Sequence, residues 1–139
     1  MDNVPSTRPG GVTPREVVAR LYAAISRGDT ATINTLIHPD ADLWVPGANP
    51  LSGAYHGTTG LARFTRAAAD IAPGGTHTDV IDIMAGERYV AVYGVSRAGR
   101  PGRRPLTNHT MHLVTVEENR VTAIAIFNAD QRAVDEFWR

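Results

Sequence analysis

The run "NHTMHLVTV", Asn108 to Val116, concentrates side chains that can do chemistry. Its β-branched content reads as a strand, and successive side chains of a strand point to opposite faces. Asn108, Thr110, His112, Val114 and Val116 therefore share one face. His109, Met111, Leu113 and Thr115 share the other. The first face puts an amide, a hydroxyl and an imidazole in one line. Imidazole, with an ordinary pKa of about 6.5, suits proton transfer near neutral pH, a contribution of roughly 10²–10⁴-fold. The Asn108 amide can donate to a carbonyl or enolate oxygen. Together they point to proton abstraction beside a carbonyl, as in aldol cyclisation, isomerisation or dehydration. The competing reading makes His112 a hydrogen-bonded core residue and Asn108 a strand-end residue bonded to backbone.

Other candidates are more scattered. Asp130 is either a carboxylate at the mouth of a site or the N-cap of a last helix. His56 lies in a Gly-flanked loop able to cover such a mouth, or is simply exposed. His38 precedes Pro39 at a helix end, where a cation suits the dipole, and His77 begins a strand. The five His show no ligand spacing, so no metal is expected. Trp44 and Tyr22 read as core or as ligand platform. Arg97, Arg100, Arg103 and Arg104 fall within eight residues. They form a charged hairpin tip that discourages edge pairing, or a dock for a phosphopantetheine arm, coenzyme A or an acidic carrier protein.

The elements that position these residues follow from local pattern. Residues 1–12 read as a mobile tail and 13–139 as one domain. "TPRE" is a capping box with Pro at the first helical position. Val17, Val18, Leu21, Tyr22 and Ile25 follow at helical spacing, and Gly28 ends the helix. Asp29 caps a shorter helix through Ile33, Leu36 and Ile37. Residues 41–45 read as a strand, "PGANPLSGAYHG" as loop, and about 59–72 as a helix with Leu61, Phe64, Ala68 and Ile71 inward. Strands are expected near 77–85, 88–98, 106–117 and 120–128. Helices followed by an antiparallel meander argue an α+β fold.

The phrases "LYAAISRGDTATINTLIHPDADLWVPG", "PLSGAYHGTTGLARF" and "NRVTAIAIFNAD" resemble, in this order and spacing, the SnoaL-like branch of the nuclear transport factor 2-like superfamily. The resemblance covers roughly residues 13–138. It implies a curved mixed or antiparallel sheet wrapped around the helices into a cystatin-like α+β barrel with a central cavity. Such proteins include polyketide cyclases, ketosteroid isomerases, epoxide hydrolases, dehydratases and binding-only proteins, so the fold does not name the chemistry. Val45 stands where the isomerases place an Asp, and Leu21 where they place a Tyr. Val92, Gly94 and Phe127 match the charged residues of the epoxide hydrolases. Those two constellations are therefore not expected. The resemblance turns Asn108, Thr110 and His112 toward the cavity, with Ser96, Ala125, Phe127, Ala129, Asp42 and Trp44 on the same face. It implies catalytic roles for His112, Asn108 and Asp130, since SnoaL-like cyclases use an acidic base. Substrate contacts fall to Tyr22, Trp44, His56, Phe64, Ser96, Thr110 and Phe127. The outer face, with Met111, Leu113, Tyr89 and Tyr93, suits a homodimer.

Composition narrows the classes further. An apolar fraction of 42% and a charged fraction of 20% are ordinary for a globule. Fourteen acidic residues balance fourteen basic ones, so no nucleic-acid partner is expected. Every basic residue is Arg, which removes Schiff-base and phosphate-loop lysines. No Cys is present, which removes thiolate catalysis and disulfides. No run approaches a membrane span and no secretory signal is visible, so a cytoplasmic protein is expected. The resulting expectation is a cofactor-free enzyme on a hydrophobic, carbonyl-bearing, polyketide-like molecule. The alternative is a non-catalytic ligand-binding or dimeric interaction protein of the same fold.

Overall fold

Thr13 opens the first helix as its residue type requires. Its hydroxyl accepts from the Glu16 N–H at 3.1 Å, and the Glu16 carboxylate accepts from the Thr13 N–H at 2.8 Å. Helix α1 runs Pro14–Arg27 and ends on Gly28, whose φ of 69° is open to glycine at no steric cost. The structure, a computed structural model, describes residues 11–139. Most of the expected tail therefore lies outside the described residues, and Val12 packs against the core. Helix α1 buries Val17, Val18, Leu21 and Ala24. Ile25, expected in that stripe, is 48% exposed because the buried arc passes through Ala24 instead.

Asp29 caps α2, Thr30–Leu36, by accepting from the Thr32 N–H. The chain then turns directly into β1, Ile37–Val45, four residues earlier than the sequence suggested. Residues Gly53–His56, expected as loop, form the short strand β2. Helix α3, Gly57–Ile71, follows at once. Strands β3 (Thr76–Ala85), β4 (Tyr89–Ala98), β5 (Leu106–Glu117) and β6 (Arg120–Asn128) make the expected meander, and α4 spans Gln131–Trp138. Glu118 and Asn119, both at positive φ, form the two-residue turn between β5 and β6.

The sheet order is β2-β1-β6-β5-β4-β3, with β1 parallel to β6 and the other pairs antiparallel. The sheet is mixed and six-stranded, and it does not close into a barrel. Helices cover one face. On β5 that face reads Leu106, Asn108, Thr110, His112, Val114, apolar at both ends and polar between. Val114 belongs to an apolar cluster with Val17, Val18, Leu21, Val90, Val92 and Val121. Leu106 belongs to a second one with Leu51, Ala72, Ala98, Val134, Phe137 and Trp138. The polar line thus occupies the interval between two cores.

Candidate functional site

His112 is the centre of that interval. Tyr22 reaches it from α1, with Oη 2.7 Å from Nδ1. The phenol O–H is the stronger donor, so we assign it as donating to Nδ1, which leaves the imidazole proton on Nε2. Burial pushes the His112 pKa down to about 4 and pushes the Tyr22 phenol up. Both groups are neutral at pH 7. Nε2 makes no hydrogen bond among the described residues and is not among the buried unpaired atoms, so it opens onto accessible space.

The neighbours of His112 show the same openness. Tyr22, Ser96, His112, Ile126 and Asn128 face the helices yet are only partly buried, whereas Val92 and Thr110 are sealed. A close-packed core would bury all of them. The polar belt therefore stands partly open between the two apolar clusters. Ser96 shares a 2.7 Å hydrogen bond with the Thr78 hydroxyl, and the Thr110 hydroxyl donates to the Phe127 carbonyl. Phe64 stands half-buried against the second cluster, edge-on to Tyr55.

Asn108 is buried, but its bonding differs from the expectation. Its Nδ2 donates to Asn128 Oδ1 at 2.9 Å, and its Oδ1 is buried without a partner. The group it leaves unpaired is an acceptor, not the oxyanion donor inferred from sequence. Four strand steps also set Asn108 and His112 roughly 13 Å apart along β5. That spacing does not bring the two side chains to one carbonyl, as the sequence reading had them.

Several expected wall residues lie on the other face. His112 opposes Ile126 and Thr110 opposes Asn128, so Ile124, Ile126 and Asn128 point toward the helices, while the register shift between Thr115 and Val116 turns Val121 to the same side. Phe127, Ala125 and Ala129 point away, and Phe127 is 48% exposed. Trp44 opposes Ala125 and is 45% exposed, with its ring 5.8 Å from that of Phe127. Asp42 also lies outside, hydrogen-bonded at 2.6 Å to His56, which ends β2 rather than covering a mouth. That hydrogen bond and the Asp42 charge raise the His56 pKa. Leu43 and Tyr55, both buried, take the inward positions instead. Asp130 is exposed and accepts from the Ala133 N–H at 3.1 Å, which makes it the cap of α4.

The arginine hairpin is largely committed within the chain. Arg97 pairs with Asp79 at 2.5 Å. Arg100 donates to the Phe137 and Arg139 carbonyls, and Arg103 to those of Glu136 and Arg139. Cations on the last carbonyls of α4 suit its dipole. A hollow of about 720 Å³ lies between this hairpin and α4, walled by Arg104, Leu106, Ala133 and Phe137. Another of about 370 Å³ lies at Gly74–Thr76 and Ala98–Gly99. Neither touches His112, and neither brings a buried titratable group to a ligand. The partly open belt around the buried Tyr22–His112 pair is the candidate site.

Among the described residues no cluster of three or more His, Cys, Asp or Glu could hold a metal. No described helix is long and apolar enough to cross a membrane.

An open mixed sheet carrying four helices and a polar belt on one face defines a protein of the small-molecule-binding, cystatin-like α+β type. The family profile described as the SnoaL-like domain matches residues 18–124, and the chain belongs to that family. It is 36% identical over 126 residues to the uncharacterized protein Rv0034 of Mycobacterium tuberculosis, covering 88% of this chain and 94% of that one. Among solved structures, Bal32a from a soil-derived mobile gene cassette aligns with a TM-score of 0.82 at 26% identity, over 89% of this chain and 95% of that one. TerC, co-crystallized with polyporic acid, aligns at 0.79 and 21% identity, over 90% and 98%. IdmH of Streptomyces antibioticus, a proposed polyketide cyclase, aligns at 0.66 and 24%, over 84% and 91%.

Proposed function

We propose that this protein binds a hydrophobic, carbonyl-bearing molecule of at least two rings in the partly open belt between its two apolar clusters. We further propose that the Tyr22–His112 pair polarises the carbonyl. The observation that carries this reading is the neutral imidazole, held at Nδ1 by Tyr22 with Nε2–H turned to accessible space. A neutral imidazole N–H is suited to stabilising a developing enolate. Enolisation is shared by cyclisation, isomerisation and dehydration; here the Nε2–H group hydrogen-bonds the forming enolate oxygen while the α-proton passes to solvent water, since His112 only donates and no described carboxylate stands beside it. Ser96 and Phe64 are the wall contacts that this reading retains, whereas Thr110 is sealed and bonded to the Phe127 carbonyl. The names of the neighbours support it only as precedent on the same fold, since one binds polyporic acid and another is a proposed cyclase.

A second reading is binding without turnover. It is favoured by the chemistry of the belt, where no described carboxylate sits beside His112 to act as base. One assay separates the two. In D₂O, the protein should accelerate deuterium exchange at the carbon next to the carbonyl of 1-tetralone, and His112→Gln should abolish that acceleration while leaving the fold intact at pH 7. Binding without acceleration selects the second reading, and absence of binding removes both.

We also propose that two copies associate through the outer sheet face. Trp44, Phe127 and Tyr89 are large apolar residues exposed there. A carrier-protein contact at the arginines has less support, because Arg97, Arg100 and Arg103 are already bonded within the chain.

A further inference from the structure

The hairpin between β4 and β5 is pinned to the end of α4. Arg100 donates to the Phe137 and Arg139 carbonyls, and Arg103 to those of Glu136 and Arg139. Further back, Ala133, Glu136 and Phe137 stand at i, i+3 and i+4 and turn one face of α4 toward Arg104, Pro105 and Leu106. Ala133 and Pro105 are too short to close the gap between them, and the hollow of about 720 Å³ is what remains. Small-molecule sites usually measure roughly 300–1,000 Å³. The floor is apolar, because Leu106 and Phe137 are buried members of the second cluster. The charged walls are Arg103, Arg104 and Arg139 against Glu136. Arg103 is held by its two carbonyls. Arg104 is exposed and makes no hydrogen bond or ion pair among the described residues. A cation with no partner, beside an apolar floor, suits an anion that carries an apolar body.

We propose that the hollow between the arginine hairpin and α4 binds a small monocarboxylate with an apolar body, its carboxylate on Arg104 and its body over Leu106, Ala133 and Phe137. The planar guanidinium fork matches a carboxylate through two parallel hydrogen bonds. The body gains by covering the apolar floor. Glu136 repels a second negative charge, which favours a monoanion over a phosphate ester. The site is separate from the Tyr22–His112 belt. Six strand steps, roughly 20 Å, part Leu106 from His112 along β5, and the two sites share no residue. The walls hold no hydroxyl, imidazole or thiol, so the inference is of binding and not of turnover.

Titration calorimetry at neutral pH and low salt compares 2-naphthoate with 2-naphthamide, which has nearly the same shape and no charge. The wild-type protein should bind the naphthoate saturably and about tenfold or more tightly than the naphthamide. Raising the salt to about 0.5 M should weaken the naphthoate alone. Arg104→Gln should bring the naphthoate to the level of the naphthamide and leave the melting temperature unchanged, because Arg104 bonds nothing among the described residues. Ala133→Leu keeps every charge but fills the hollow, and should weaken both ligands about tenfold. His112→Gln should change neither. Equal affinity for the two ligands, no saturable binding, or naphthoate affinity unaltered by Arg104→Gln or by Ala133→Leu overturns the proposal. So does a lower melting temperature in Arg104→Gln, which would make that arginine a structural contact. A loss of naphthoate binding in His112→Gln would place the ligand in the belt, which also overturns it.

Discussion

Replacing His112 by Gln should remove a specific part of the protein's pH dependence. His112 has its pKa lowered from an ordinary 6.5 to about 4 by burial. Its neutral form is therefore favoured in the folded state. Between these two values the unfolded chain binds more protons, so stability falls as the pH drops from 6.5 toward 4 and is level above 6.5. The full shift corresponds to about 3 kcal/mol, of which about 2 kcal/mol is lost between pH 7 and pH 5. His56 shifts the opposite way but is exposed and common to both proteins, so it cancels in the comparison. Carboxylates titrate mostly below this window. Urea unfolding at pH 7 and pH 5 should thus show the wild-type protein losing about 2 kcal/mol more than His112→Gln. In thermal unfolding the excess is roughly 6–10 °C. Equal losses in the two proteins would mean that His112 titrates as a solvated group, and the neutral Tyr22–His112 pair would have to be abandoned.

Further outcomes follow from single contacts. Tyr22→Phe leaves Nδ1 of His112 without its donor and should cost about 1–3 kcal/mol in the same unfolding assay, with an upward shift of the His112 midpoint measured by NMR. A Cβ at Gly94 would stand 2.8 Å from the Asp79 carbonyl oxygen, so Gly94→Ala should destabilise by about 1–3 kcal/mol; an unchanged melting temperature would show that β3 yields there. Phe127→Arg should make the protein monomeric in sedimentation velocity if the outer face joins two copies, and should leave tetralone affinity unchanged because Phe127 points away from the belt.

Much of this architecture was legible locally. The capping box of α1, the Asp caps of α2 and α4 and the four meander strands are near-neighbour features, and each formed as the residue types dictate. The face of β5 was legible as well, because Asn108, Thr110 and His112 alternate with different side chains. The facing of β6 was not. "AIAIFNA" is apolar on both faces, so nothing in it distinguishes Ile126 from Phe127, and an irregularity between Thr115 and Val116 resets the register. Trp44 misled because bulk suggests burial, whereas Ala41 and Leu43 hold the inward positions of β1. Strand β2 has only four residues and depends on pairing with β1, and β1 depends on its parallel pairing with β6 across most of the chain. The run of hydrogen-bonded amides from Asn108 through Asn128 and Gln131 to Asp135 joins residues from separate elements. Its one local trace is the i,i+4 spacing of Gln131 and Asp135 on α4.

The claim that matters most is that the partly open belt between the two clusters holds the ligand. Titration of ¹⁵N-labelled protein with 6-hydroxy-1-tetralone, followed by NMR, tests it directly. The account predicts saturable shifts centred on Tyr22, Thr110, His112, Ile126 and Asn128, with Trp44 and Phe127 unaffected. Shifts confined to Arg104, Ala133 and Phe137 around the hairpin hollow, or no saturable shifts, would contradict it.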